Sequence, residues 1–237
     1  MIYSAIYTDQ GGRPENEDSA RLLRQGPDVA CAVVADGLGG HGGGRIASDT
    51  AVRSLCASWD GSGGQEELKT LIEKANQDVL SRQSSVCAMK STIVALSLVG
   101  RRAVWAHVGD SRLYRFYEKR LEFQTRDHSA SQVAVMLGDI TPDQIRFHED
   151  RNRVLRALGQ EEEMKVETGE LSLQSGSYAF LLCTDGFWEY VLEPEMEEDL
   201  KASHNPEEWL DRMKRRLWER VPPDNDNNTA LAVWLEP

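Results

Sequence analysis

The chain has 237 residues and a formal net charge of −12; it fits one domain, 1–237, long enough to bury a substantial core. The acidic balance argues against nucleic acid and anionic membrane as main partners. Cys31, Cys56, Cys87 and Cys183 show no CxxC spacing, and neither a basic-then-apolar leader nor a membrane-length apolar run occurs, so the expectation is a cytoplasmic monomer in a reducing compartment.

Met1–Thr8 predicts a first or edge strand, and Gly11, Gly12 and Pro14 make the next segment a loop. Arg13 stands there beside Glu15, Glu17 and Asp18, a group that on its own reads as solvated charge. The run Val29–Val34 predicts a strand buried on both faces. It ends on Asp36, and glycines at 37, 39, 40, 42, 43 and 44 let the main chain approach a ligand closely. Arg45–Trp59 and Glu66–Arg82 carry helical apolar spacing on either side of a Gly61–Gly64 break.

Lys90–Val99, Ala103–Val108 and Leu113–Tyr117 predict an antiparallel meander. Arg126–Asp150 predicts a surface excursion, with a short helix at Ser129–Leu137 and a second starting at Thr141 with Pro142 in its first position. His107 and His128 read as core or loop residues rather than catalytic ones. Lys165–Leu173 and Tyr178–Thr184 predict strands. Asn205 predicts a cap for a helix from Pro206 to about Arg220, whose Arg212, Lys214, Arg215 and Arg216 read as a solvated face. Thr229–Leu235 predicts a closing strand.

Three apolar runs each deliver one carboxylate to a turn: Asp36, Asp110 and Asp185. A single Asp-Gly is ordinarily a hairpin turn. Three carboxylates brought together would repel and raise each other's pKa unless a cation offset them. Carboxylate and carbonyl oxygens are hard ligands that suit magnesium or manganese, whereas zinc favours His or Cys. Whether the three turns converge is left to the fold. The glycine-rich stretch lacks the Gly-Lys-Ser/Thr ending of a P-loop, and no Gly-x-Ser-x-Gly elbow offers a nucleophile.

The ordered set R-P-E-N-E-D (13–18), V-A-D-G-L-G-G-H (34–41), K-S-T (90–92), V-G-D-S-R (108–112), R-D-H-S (126–129), L-R-A-L-G (155–159), C-T-D-G (183–186) and D-N-N-T (226–229) resembles the metal-dependent protein phosphatases of the protein phosphatase 2C family. The resemblance spans nearly the whole chain. It implies an α+β fold, a four-layer α/β/β/α sandwich of two antiparallel sheets flanked by helices. It implies two manganese or magnesium ions bridged by Asp36, with the Gly37 carbonyl, Asp185 and Asp226 as further ligands. Glu17 and Asp18 would hold metal-bound waters, and Asp110 with Asp185 a third, weaker ion. Arg13 would clamp the phosphate through its planar fork.

The implied reaction is one-step hydrolysis of phosphoserine or phosphothreonine by an ion-activated water, which needs no Ser or Cys nucleophile. Two departures from the family pattern stand out. Leu38 occupies the place where eukaryotic relatives commonly have His, so His41 is the candidate leaving-group acid, with ordering of the glycine-rich loop as its alternative role. Glu189 stands where many relatives carry Asp. The segments LGDITPDQIRFHEDRNRVLRALG and TDGFWEYV are most similar to bacterial phosphatases that accompany type VI secretion. That likeness implies a phosphothreonine substrate made by a partner kinase, on a forkhead-associated scaffold protein. The competing expectation is a catalytically weak phosphatase-like module that binds a phosphoprotein or signalling partner.

Overall fold

A computed structural model of the chain describes residues 1–39, 43–84 and 89–236. Strand β1 (Ile2–Asp9) is followed by the 10–18 loop, β2 (Ser19–Arg24) and β3 (Val29–Ala35). A short β4 (Gly37–Leu38) leads to helices α1 (Gly43–Ser58) and α2 (Gln65–Leu80). The middle of the chain supplies β5 (Lys90–Ser91), β6 (Ile93–Val99), β7 (Arg102–Val108), β8 (Arg112–Tyr117) and β9 (Arg120–Gln124). The excursion holds α3 (Ala130–Leu137) and a 3-10 turn at Pro142–Phe147. Then come β10 (Glu167–Ser172), β11 (Tyr178–Cys183), α4 (Asp185–Trp188), α5 (Glu193–Lys201), α6 (Pro206–Trp218) and β12 (Asn228–Leu235).

The strands form two five-stranded sheets, ordered β1-β12-β11-β8-β9 and β10-β7-β6-β3-β2, with β4 and β5 paired separately. All the pairings are antiparallel. The alternation of side chains along each strand sorts them into layers. Cys31, Val33 and Ala35 of β3 face α1 and α2, where Leu55, Leu68 and Ile72 fill the space. Their neighbours Ala32 and Val34 point the other way, against Phe180, Leu182 and Val233 of the opposing sheet. Beyond that sheet, Leu181 and Ala232 meet Trp209, Leu210 and Met213 of α6. The result is the four-layer α/β/β/α sandwich.

The expected meander does not form. β6 and β7 are a hairpin in one sheet, but β8 pairs with β11 and β9 in the other. The chain changes sheets through Gly109–Ser111, where Gly109 adopts φ +105°. Besides β2 and α5, two pieces went unread in the sequence. The β8–β9 hairpin turns on Glu118 and Lys119, both at positive φ (47° and 61°), without the Gly or Asn that usually marks such a turn. The four-residue α4 is too short for periodicity to reveal.

Other local expectations hold. Ser129 caps α3 by accepting from the Gln132 N–H at 3.2 Å, and Gly138 ends it at φ 82°. Asn205 caps α6 through the Glu208 N–H at 2.7 Å. The element beginning at Pro142 is a 3-10 turn rather than an α-helix. The basic face of α6 is paired more than solvated, since Arg216 lies against Glu195, Glu198 and Asp199 of α5. Cys31, Cys56 and Cys183 are free and buried, and Cys87 lies outside the described residues. Among the described residues no helix is long and apolar enough to cross a membrane.

Candidate metal centre

Strict antiparallel pairing decides where the acidic turns go. β3 and β7 both run antiparallel to β6, so their C-terminal ends share one edge of their sheet. That edge receives Asp36 and Asp110, and Ser19 opposite Ala35 puts Asp18 there as well. In the other sheet the end of β11 lies beside the start of β12, which brings Asp185 next to Asp226. The two edges meet at one end of the sandwich, where Thr184 donates from Oγ1 to Asp18 Oδ2 at 2.9 Å. They frame an open cleft of about 1230 Å³ lined by Arg13, Glu17, Asp36, Gly37, Asp185 and Asp226.

The segments are held by short polar contacts. Ser91 Oγ and the Thr92 N–H both donate to the Asp36 carbonyl at 2.8 Å, while Thr92 Oγ1 accepts from the Asp36 N–H at 2.9 Å. This is the work of the K-S-T stretch, to which the sequence attached no role. Asn227 is a second clamp not assigned from sequence. Its Oδ1 accepts from the Glu17 N–H at 2.8 Å, and its Nδ2 donates to the carbonyls of Gln10 and Glu15 at 2.8 and 2.9 Å. Its signals were the polar run 224–228 and the D-N-N-T motif at 226–229. Gly37 and Gly44 are packed face to face, so a Cβ on Gly37 would lie 2.3 Å from the Gly44 carbonyl; only glycine permits that approach.

Electrostatically the centre is under strain without a cation. Burial, then Asp185, Asp18, Asp110 and Asp226, drives the Asp36 carboxyl far above the usual range. Burial and its acidic neighbours push Asp18 up to about 7 and Asp185 up to about 6. Asp110 is raised well above its ordinary value, first by burial and then by Asp185 and Asp127. Both carboxylate oxygens of Asp110, and Oδ1 of Asp18, are buried without a hydrogen-bond partner. Orphaned anionic oxygens are costly, and hard divalent ions would satisfy them. The donor set therefore fits magnesium or manganese.

The structure thus brings Glu17, Asp18, Asp36, Gly37, Asp110, Asp185 and Asp226 to one place. Arg13 sits at the rim, where its Nη2 donates to Asp226 at 2.8 Å. His41 lies outside the described residues. Glu189 belongs to the same environment: burial first, then Asp185, raises its carboxyl to about 7, although Arg151 holds it at 3.0 Å.

A second group, His107, His128 and Glu167, has potential ligand atoms within 4.8 Å of one another. Three of its four ring nitrogens are already committed, and His107 Nδ1 is buried with no hydrogen-bond partner among the described residues. His128 Nδ1 accepts from the Gly109 N–H at 3.2 Å, so Nε2 carries the proton and donates to Glu167 at 3.3 Å. His107 Nε2 donates to the Arg126 carbonyl at 2.8 Å. Binding a metal through His128 Nε2 would require an imidazolate. The two rings instead stack at 4.7 Å and latch the turn that precedes Asp110.

The protein phosphatase 2C model matches residues 10–236. The chain is 34% identical over 221 residues to the serine/threonine phosphatase stp of Listeria monocytogenes, covering 89% of this chain and 87% of that protein. The structure is similar to the catalytic domain of the serine/threonine protein phosphatase PstP in complex with two manganese ions (TM-score 0.84, 25% identity, 100% of this chain and 99% of that one). It is also similar to PppA, a key regulatory component of T6SS in Pseudomonas aeruginosa (TM-score 0.80, 32% identity, 98% and 96% covered).

Proposed function

The chain belongs to the protein phosphatase 2C family and is a metal-dependent serine/threonine phosphatase; from that premise we propose how its own residues divide the work. Asp36, Asp185, Asp226 and the Gly37 carbonyl would hold two divalent ions, manganese or magnesium. Asp110, with Asp185, would hold a third and weaker one. When bound, the ions supply an acidified water as nucleophile and positive charge for the phosphoryl oxygens. Glu17 and Asp18 orient water at the centre.

Arg13, half-exposed and touching Asp226 through Nη2 alone, keeps the rest of its fork for the phosphate. His41 is assigned from sequence as proton donor to the departing serine or threonine oxygen. What supports this reading above all is the convergence of buried, mutually raised carboxylates from both sheets, three of their oxygens having no partner.

The wider reading is of a single catalytic domain, 1–237, acting as a cytoplasmic monomer on a phosphothreonine protein. It would oppose a partner kinase that modifies a forkhead-associated scaffold in type VI secretion control. The likeness to PppA and the excursion sequence support that assignment. The direct test is hydrolysis of nitrophenyl phosphate and a phosphothreonine peptide with manganese, magnesium or chelator. Turnover should vanish in chelator and return with either ion; full activity after exhaustive demetallation, or a trapped phosphoenzyme, would overturn the mechanism.

A further inference from the structure

Among the described residues the cleft is lined by two cationic side chains, Arg13 and Arg45, and the proposed function uses only the first. We infer that Arg45 is a specificity-determining residue, selecting phosphopeptides that carry an anionic group beside the phosphorylated residue. The inference rests on the phosphatase reading of the site.

Arg45 lies in the first turn of α1, and its backbone amide, with that of Gly44, faces the Glu17 carboxylate and favours its charged form. Its main chain is thereby tied to the metal centre while its side chain, 65% exposed, leaves toward solvent. Nη1 donates to Glu15 Oε1 at 2.5 Å. Glu15 is itself fixed, because Asn227 Nδ2 donates to its carbonyl at 2.9 Å. The guanidinium is therefore held in place by one corner. Its Nε–Nη2 edge makes no hydrogen bond among the described residues, and that edge grips a carboxylate or phosphoryl group with two parallel bonds. The other charged groups lining the cleft, apart from Arg13, are carboxylates, and the chain carries a net charge of −12. With Asp36, Asp185 and Asp226 taken up by the ions the proposed function places there, the Arg45 edge is the cationic fork that the described cleft lining offers to an anionic group beside the phosphate, a contact that sets specificity more than overall affinity.

The test compares kcat/KM on phosphothreonine peptides bearing Glu, a second phosphothreonine, Gln or Lys at positions flanking the phosphorylated residue, at low salt with manganese. Wild type should prefer the Glu peptide over the Gln peptide by about tenfold, mostly through KM, and the preference should shrink as salt screens it. Arg45→Gln should bring the Glu/Gln ratio close to one, Arg45→Lys should keep part of it, and Arg45→Glu should favour the Lys peptide. The doubly phosphorylated arm tells whether carboxylate or phosphoryl is the preferred anion. A wild-type ratio near one overturns the inference. So does an unchanged ratio in Arg45→Gln with all peptides slowed together, which would make Arg45 only a tether for the 10–18 loop. Failure of wild type to hydrolyse even nitrophenyl phosphate with manganese would instead sink the phosphatase reading beneath it.

Discussion

Asp36 carries the sharpest consequence at the scale of single residues. Its carboxyl touches that of Asp185 and feels Asp18, Asp110 and Asp226. Asp36→Asn removes the charge at the centre of this group, so it should eliminate nearly all turnover and disable both principal ions at once. The same change relieves repulsion in the metal-free protein. We therefore expect Asp36→Asn to melt above wild type in chelator and to lose most of the stabilisation that manganese gives wild type. Calorimetry showing unchanged two-site binding would reject the bridging role. Arg13→Ala is a different kind of loss. A phosphate clamp binds ground and transition states alike, so KM should rise with a smaller fall in kcat; kinetics matching wild type would return Arg13 to a plain partner of Asp226.

The excursion and α4 are joined by a buried guanidinium. Arg146, in the 3-10 turn, donates from Nη1 to the Trp188 carbonyl at 2.6 Å and from Nη2 to Glu193 at 2.5 Å. It thereby caps the end of the helix that begins at Asp185. Arg112 lies over the same tryptophan, 3.5 Å from the ring centroid, paired bidentately with Asp127 at 2.8 and 2.7 Å. Removing one partner of a buried pair leaves the other uncompensated. Glu193 keeps contacts with Tyr114 and Arg112, so Arg146→Met should cost about 3 kcal/mol in a urea titration, the low end for such losses. Hydrogen exchange should quicken first at 142–147. Uniform exchange across the chain would mean that the turn is not separately anchored. Nothing in local periodicity distinguishes this arginine from its neighbours, because its partners lie more than forty residues away.

For the whole molecule, the acidic centre should make stability depend on pH and metal together. Asp18 at about 7 and Asp185 at about 6 lie far above the unfolded value near 3.9. Between about pH 4 and 7 the metal-free folded chain therefore holds protons that the unfolded chain has released, and these groups lower stability as pH rises. Glu195, held at about 2 chiefly by Arg220, acts in the opposite sense. Its contribution is present above about pH 4.5 and fades only toward pH 2. Without metal, Tm should fall from pH 5 to pH 7.5. Saturating manganese should raise Tm by more at pH 7.5 than at pH 5; an equal rise at both would show that the carboxylates are not strained.

The sequence by itself determined most of the strands, though not β2 or β9, because buried apolar runs and their alternation are local patterns. It determined the acidic turns and the glycine at 37 for the same reason, and the ordered motifs carried the family. It could not say which sheet received each strand: β7 and β8 are neighbours in the chain yet lie in opposite sheets, and the crossover depends on packing rather than local propensity. Nor could it place Asp110 beside Asp185, assign Asn227 and Thr92 to their clamps, or set Arg45 on the cleft beside Glu15. Those relations join residues far apart in sequence, and only antiparallel register, which alternates the ends of successive strands, brings them to one edge.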